Sequence, residues 1–479
     1  MSLRAYDMRR RAKIAFEPVR PGNVGMYVCG MTVQDKPHVG HMRYAVSGDV
    51  IRRVLEWRGY PVTYVTNFTD IDDRIIARGL EEGIPFEQIS QRNIDAFLRY
   101  SKLLNIKPAT HYPRATEHIP EIITLIRRLI DGGFAYAAGG DVYFEVRKYP
   151  RYGELSGRNV DDLRAGVRIE VGESKRDPVD FALWKGAKPD EPSWPSPWGP
   201  GRPGWHIECS AMAMKYLGDT FDFHGGGQDL LFPHHENEIA QSEAATGKPF
   251  ARHWVENGLV NLGGEKMSKS SKHFYSIEDA ARDFDAESIR FYLQSTHYRS
   301  PIEWNEERLR EAGIAYSRLT EALATADASP SNAKSSAASA SHAKPSGAAP
   351  LRAEIAALAA QFEESLEDDF NTAKAQGHLF EIAKAINRAA DGASDAAARA
   401  SVADAGQTLR SLGEVIGLFW GGAAVEESVP DHVQVLVRQR DESRIQKQWR
   451  RADELRDEIS ALGYVLEDSK EGTRARRKI

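Results

Sequence analysis

Residues 24–29, VGMYVC, form an apolar, β-rich run that stops at Gly30, and a long periodic segment from Val39 to Trp57 follows it. Within that segment Val39, Val46, Val50 and Val54 recur at spacings of seven and four, which puts them on one helical face. A second apolar run, Pro61 to Asn67, comes next. Strand, helix and strand in that order predict a parallel sheet with right-handed crossovers, whose ligands lie beyond the carboxyl ends of the strands. From 115 to 200 the pattern loosens into a helix, a short strand from Asp141 to Val146 and a Pro/Trp-rich stretch, which reads as an insertion. The sheet is expected to resume with Thr220 to His224, followed by Gly225-Gly226-Gly227 and a helix through HHENEIAQSEAA.

Further along, residues 325–350 are rich in Ala, Ser and Pro, with too little apolar content to fold alone, and read as a flexible linker or surface loop. Residues 351–420 show the Ala/Leu/Ile periodicity of helices. The part from Asp431 predicts a helix through WRRADELRDEISALG and a strand near Tyr464 to Glu467. At 479 residues the chain exceeds what one core supports, so two to four domains are expected.

Composition narrows the class without naming it. The hydrophobic fraction of 41% and charged fraction of 28% are those of an ordinary soluble protein. The basic start, MSLRAYDMRRRAKIAFEP, lacks the apolar stretch of a signal peptide, and no run of eighteen apolar residues occurs, so a cytoplasmic protein without membrane attachment is expected. Two cysteines, Cys29 and Cys209, exclude a disulfide framework. The net charge of −6 does not advertise a nucleic-acid binder, although the part from Asp431 holds twelve Lys or Arg against ten Asp or Glu. Phosphate contacts depend on such local balances rather than on the global one. The basic end, Arg474 to Lys478, reads equally as a solvated tail.

Two strings carry phosphate chemistry. Pro37-His38-Val39-Gly40-His41 stands where the first loop becomes a helix, whose free N–H groups favour anions, and Gly40 leaves room for close approach of a nucleotide. Alone this pattern is weak. Lys266-Met267-Ser268-Lys269-Ser270 is far more specific, and the preceding Gly263-Gly264 offer a hinge. A third group, Cys29, Cys209, His234 and Glu238, offers two thiolates, an imidazole and a carboxylate, a credible tetrahedral set for Zn²⁺. His234 and Glu238, four apart on a helix, share a face. From these residues alone the competing reading, a solvated charged helix face through His234, His235, Glu236 and Glu238, is the stronger one. A His-Glu-x-x-His protease motif is excluded, because Ile239 stands where its second histidine belongs.

The order and separation of the first two strings resemble the signatures of class I aminoacyl-tRNA synthetases, with Val39 in place of the usual Ile. Together with NFTDIDDRII, GWHIECSAMAM and GGGQDLLFPHHENEIAQSEA they resemble the cysteinyl-tRNA synthetase family over nearly the whole chain. The resemblance implies that Cys29, Cys209, His234 and Glu238 bind one zinc ion. It places His38, Gly40, His41, Lys266 and Lys269 on ATP, and Thr69, Trp205 and Asp229 around the amino acid. ATP with Mg²⁺, L-cysteine and tRNA(Cys) are the implied partners of a monomer. The implied α/β fold is a Rossmann-like parallel-sheet catalytic domain over 1–114 and 201–250 with an inserted domain over 115–200. A stem-contact region over 251–324, a linker over 325–350, a helical anticodon-binding bundle over 351–425 and a small anticodon-binding domain over 426–479 would follow. Asp70, Asp72 and Asp73 read as helix caps and surface charge.

Zinc has a physical rationale here, since serine and cysteine differ by one atom and pocket shape separates such pairs by only about 1–3 kcal/mol. A soft ion that takes the substrate sulfur as ligand discriminates by chemistry instead, so no editing domain is expected. The chain departs from the family at Ala475, where GTRARR replaces a Trp-containing GTxWRR, and in the 325–350 insertion. A ligase that passes cysteine to an amino sugar is the nearest rival. It has no use for the C-terminal segments DDFNTAKAQ and LRDEISALGYVLEDSKEGT.

Overall fold

The computed structural model describes residues 3–161, 174–189, 191–262, 265–266, 276–329, 348–421, 431–446, 448–462, 464–469 and 472–477. Its centre is a four-stranded sheet in the order Ala251–Asn257, Phe221–Gly227, Val24–Val28, Val62–Thr66. Every neighbouring pair is parallel, with Met26 opposite Tyr64, Tyr27 opposite His224 and Asn257 opposite Gly227. From Val24–Val28 the chain crosses to one side for Val62–Thr66 and later to the other for Phe221–Gly227, so a crevice opens beyond the carboxyl end of Val24–Val28.

The helix Val39–Trp57 supplies the first crossover and buries Val39, Val46, Val50 and Val54, the face set by the valine spacing. Strand alternation sends Met26 and Val28 to one core with this helix and Phe223, and Tyr27 and Cys29 to the other. The second core contains most of the insertion. Helix Ile119–Asp131 and an antiparallel sheet of Ala135–Ala138, Asp141–Phe144, Phe181–Gly186 and Gly201–Pro203 contribute Ile122, Phe144 and Trp184 to the same cluster as Tyr27, Cys29 and Cys209. The insertion is therefore a cover over one sheet face rather than an appendage.

Two expected boundaries move. The parallel sheet does not end at 250, because Ala251–Asn257 is its edge strand. The inserted sheet does not end at 200, because Gly201–Pro203 pairs with Phe181–Gly186. Arg252, His253, Glu256 and Asn257 interrupt the apolar pattern of that edge strand, and the last three are buried by specific partners that no periodicity announces.

Helices Glu306–Asp327, Ala348–Glu367, Thr372–Asp391 and Ala396–Val415 bury Leu319, Phe362, Leu379 and Leu409 in the first core. A buried ion pair ties this region to the sheet: Arg290 donates to Asp49 of the first helix (2.6 Å) and to the carbonyls of Leu104 (2.7 Å) and Ile416 (3.0 Å). The expected linker lies mostly outside the described residues, its ends belonging to the flanking helices. Helices Asp431–Ile445 and Trp449–Ala461 and the hairpin Tyr464–Ser469 with Gly472–Arg477 gather around Val433, Val437 and Ile459, with Ala475 opposite Leu466.

Candidate active site

The carboxyl edge of the sheet holds a cavity of about 240 Å³. His38, Gly40, His41, Thr69, Trp205, Cys209, Asp229 and His234 all line it, together with Met31, Tyr44, Arg74 and the segment Asn257 to Val260. Cys29 and Glu238 lie behind that lining, fully buried. Of the expected site residues only Lys266 and Lys269 are not placed by side chain. Lys266 sits on a short strand paired with Asn261, and Lys269 lies outside the described residues.

The histidine string starts the first helix in an unusual way. His38 is the N-cap, and its Nδ1 accepts from the His41 N–H at 3.3 Å, while His41 Nδ1 accepts from the His38 N–H at 3.2 Å. The two rings stack with centroids 3.7 Å apart. Side chains that elsewhere would be Ser and Glu in a capping box are here imidazoles, so the groups that start the helix also line the cavity. Gly40 permits it, since a Cβ at that position would lie 2.8 Å from His38 Cε1.

The four expected metal ligands converge from three elements. Cys29 ends the strand Val24–Val28, Cys209 lies on helix Trp205–Leu217, and the turn Leu231–His235 leads into helix Glu236–Thr246 with His234 and Glu238 on one face. One donor atom from each of Cys29, Cys209, His234 and Glu238 lies within 4.8 Å of the others. Glu238 Oε1 is 3.2 Å from Cys29 Sγ and 3.1 Å from His234 Nε2. The solvated-face reading is overturned: His234, His235, Glu236 and Glu238 are all buried, because the insertion covers the helix and Glu236 accepts the Gly153 and Ser156 N–H groups.

Charges within the cluster suit a divalent cation. Burial opposes ionisation of Glu238, yet His224 and His234 hold its carboxyl well below the usual range. Burial likewise works against the His234 imidazolium, but Glu238 and Cys209 raise it to about 10. For Cys209, burial pushes the thiol up, and the Cys29 hydrogen bond and His234 outweigh it to bring the thiol to about 6. Burial, with Cys209 and Glu238 beside it, pushes Cys29 well up. The cluster thus keeps two labile protons, on Cys29 and His234, among otherwise anionic donors. A doubly charged ion replacing them would leave the total charge unchanged, and two sulfurs among four donors suit a soft or borderline ion better than a hard one.

Sequence reasoning missed the residues that orient these ligands. His224 Nε2 is 2.9 Å from Glu238 Oε2, and burial keeps its ring neutral by lowering it to about 4, so it donates to the carboxylate. His206 Nδ1 meets His234 Nδ1 at 3.1 Å, and Trp205 stacks on His234 with centroids 4.5 Å apart. Asn67 Oδ1 accepts from the Gly30 N–H at 2.9 Å and lies 3.6 Å from Cys209 Sγ. His206 stands three residues before Cys209 on one helix, a spacing that could have flagged it. Partners of this kind fix the orientation and basicity of ligands. Thr69 Oγ1 donates to the buried Glu208 carboxyl at 3.0 Å. Asp72 caps the helix Asp73–Glu82, and Asp73 binds Lys185 of the insertion, both as the sequence suggested, whereas Asp70 is buried on Thr116.

Residues 15–313 match the family described as tRNA synthetases class I (C) catalytic domain, 361–420 the DALR domain and 426–476 the cysteinyl-tRNA ligase anticodon binding domain. A cysteine–tRNA ligase of Geobacter sulfurreducens is 50% identical, the match covering 99% of each chain. One from Caldicellulosiruptor saccharolyticus is 44% identical over 99% of this chain and 100% of its own. Among solved structures, Mycobacterium tuberculosis methionyl-tRNA synthetase bound by methionyl-adenylate superposes with a TM-score of 0.62 at 16% identity, over 82% of this chain and 92% of that one. At that identity the likeness speaks for the fold. Among the described residues no helix is long and apolar enough to cross a membrane.

Proposed function

The chain belongs to the cysteine–tRNA ligases, class I aminoacyl-tRNA synthetases that load tRNA, and from that premise we propose that it activates L-cysteine with ATP under selection by a zinc ion on Cys29, Cys209, His234 and Glu238. The observation that carries this reading is the placement of that buried donor set against a cavity whose lining also includes His38, Gly40 and His41. When bound, zinc supplies a soft Lewis acid that prefers a substrate thiolate to a hydroxyl.

The chain's own residues do the rest. Asp229 attracts the α-ammonium, Trp205 walls the side chain, and Thr69, held by Glu208, orients the polar end of the amino acid. His38 and His41 present imidazole edges and the helix N-terminus to the ATP phosphates. The substrate carboxylate attacks the α-phosphate, its new P–O bond forming as the bond to pyrophosphate breaks. Lys266 and Lys269 neutralise the charge that moves onto pyrophosphate, and Mg²⁺ accompanies the ATP. The acyl group then passes to the terminal ribose of tRNA(Cys), whose anticodon end meets residues 361–476. The reaction belongs in the cytoplasm, with the chain working as a monomer.

The test is zinc content by elemental analysis together with ATP–pyrophosphate exchange. One zinc per chain and exchange with cysteine but not serine are expected. A metal-free protein, or one that exchanges with serine equally well, sinks the reading.

Gly40→Ala isolates the histidine device. The added methyl drives the His38 ring from its cap, which costs about 1 kcal/mol of stability. Displacing a phosphate contact by an ångström slows chemistry by up to about a hundredfold. Exchange rates should therefore fall roughly 10–100-fold with Tm barely changed, and a variant with wild-type exchange would remove His38 from the phosphate site.

A further inference from the structure

Arg43 lies two residues beyond His41 on the first helix, is fully buried, and is not part of the cavity lining. Its Nη1 donates to the carbonyls of Gly258 (2.7 Å) and Leu259 (3.0 Å). Its Nη2 donates to Thr296 Oγ1 (3.0 Å) and to the carbonyls of Ser300 (2.6 Å) and His297 (3.5 Å). Other buried arginines sit on carboxylates, Arg290 on Asp49 and Arg202 on Asp73. Arg43 pairs with no carboxylate among the described residues, and its Nε has no partner. Burial lowers the guanidinium to about 10, which still leaves it charged at neutral pH. A buried cation held only by neutral oxygens is costly where an apolar side chain would fill the space.

What it holds accounts for the cost. Asn257, Gly258, Leu259 and Val260 form one stretch of the cavity lining, and His38, Gly40 and His41 form another. Arg43 is anchored in the helix of the second and grips the carbonyls of the first. One turn on, Ser47 donates to Asn257 Oδ1 (2.6 Å), and Asn257 Nδ2 donates to Gly258 O (2.8 Å). Gly258 itself allows the third party, the 296–300 loop, to close down, since a Cβ there would lie 2.3 Å from Ser300 O. Two of the five donor contacts set the spacing between the two walls and the other three tie the arginine to the 296–300 loop behind, which the fork of a guanidinium can do where a lysine cannot. They also leave a positive charge, paired with no carboxylate among the described residues, in the helix that starts at His38 and His41.

We propose that Arg43 is a positioning residue for the nucleotide, fixing the Asn257–Val260 wall against the His38–His41 helix and biasing the cavity toward a polyphosphate. This rests on the ATP-dependent reading above and extends it to a residue that touches no substrate. The metal cluster is built from other elements, so cysteine and zinc should be indifferent to Arg43.

The test is cysteine-dependent ATP–pyrophosphate exchange by the full-length, zinc-loaded protein, with KM for ATP and for cysteine measured separately and zinc counted. Arg43→Lys, which keeps the charge and loses the fork, should raise KM for ATP about tenfold. Arg43→Gln should raise it further, and Thr296→Val, which deletes one acceptor, about twofold to threefold. In all three, KM for cysteine and the zinc count should stay within twofold and at one per chain. KM for ATP unchanged in Arg43→Lys, or both KM values rising together with loss of zinc, overturns the proposal and leaves Arg43 a packing residue. Should Arg43→Gln fail to fold, the other two variants decide by the same ratio. Wild-type protein without cysteine-dependent exchange is a separate outcome, which overturns the activation reading as well.

Discussion

Replacing Cys209 by serine should empty the metal site and lower cysteine-dependent exchange by roughly 10⁴-fold, about 5.5 kcal/mol. The substitution is conservative in volume, and Cys209 sits in a packed core with Ile207 and Met212, so the fold should persist. What changes is the donor. A serine hydroxyl stays protonated at neutral pH, whereas the surroundings of Cys209 bring its thiol to about 6, ready to ligate as a thiolate. Losing it leaves Glu238 and His234 paired with each other at 3.1 Å and with His224 and His206, a closed network with little reason to admit a cation. Elemental analysis should find less than a tenth of an equivalent of zinc, and Tm should drop by the share that metal binding gives the native state. Full zinc occupancy with normal exchange in this variant would remove Cys209 from the ligand set. Stripping the wild type with a chelator should reproduce the kinetic loss and be reversed by added zinc, a control that separates metal loss from misfolding.

The proposed ligand set was only half legible in the sequence. Helix Val39–Trp57 could be read from four valines, because one helical face against a sheet leaves a 3.6-residue signature. Cys29 and Cys209 leave none: they are 180 residues apart, on a strand end and a helix, and only the return of the chain to the sheet brings them together. The run His234-His235-Glu236-Asn237-Glu238 looks solvated by any helix-face logic and is buried because the insertion shares its core with the sheet. Burial imposed by a distant segment has no local pattern. His224 shows the same limit from the strand side. It stands at the end of Phe221-Asp222-Phe223 and reads as one more sheet residue until Glu238 is seen 2.9 Å away. The motif strings, by contrast, were legible because phosphate chemistry demands particular residues at fixed spacing, while the edge strand Ala251–Asn257 was not, its polar residues finding partners such as His235 on Glu256 at 2.7 Å.

Lys269→Ala should cost about 3–4 kcal/mol in kcat/KM for adenylate formation, by analogy with loss of a preorganised donor to a developing oxyanion. The reasoning starts from where charge moves. In the ground state the triphosphate already carries its negative charge, and under the proposed function much of it would face the helix N-terminus capped by His38. As the bond to pyrophosphate breaks, additional charge settles on the leaving group, and a lysine poised there binds the transition state more tightly than the substrate. Its removal should therefore depress kcat by two to three orders of magnitude and leave KM for ATP within a few-fold. Lys266 differs in kind, for its backbone is pinned in a strand opposite Asn261, so its contribution should fall more on ground-state binding and appear in KM. Transfer of cysteine from preformed adenylate to tRNA involves no pyrophosphate and should proceed at the wild-type rate in Lys269→Ala. Single-turnover measurements of the two half-reactions make the comparison. If both steps slow equally, the lysine serves general architecture; if only activation slows, charge on departing pyrophosphate is what it meets.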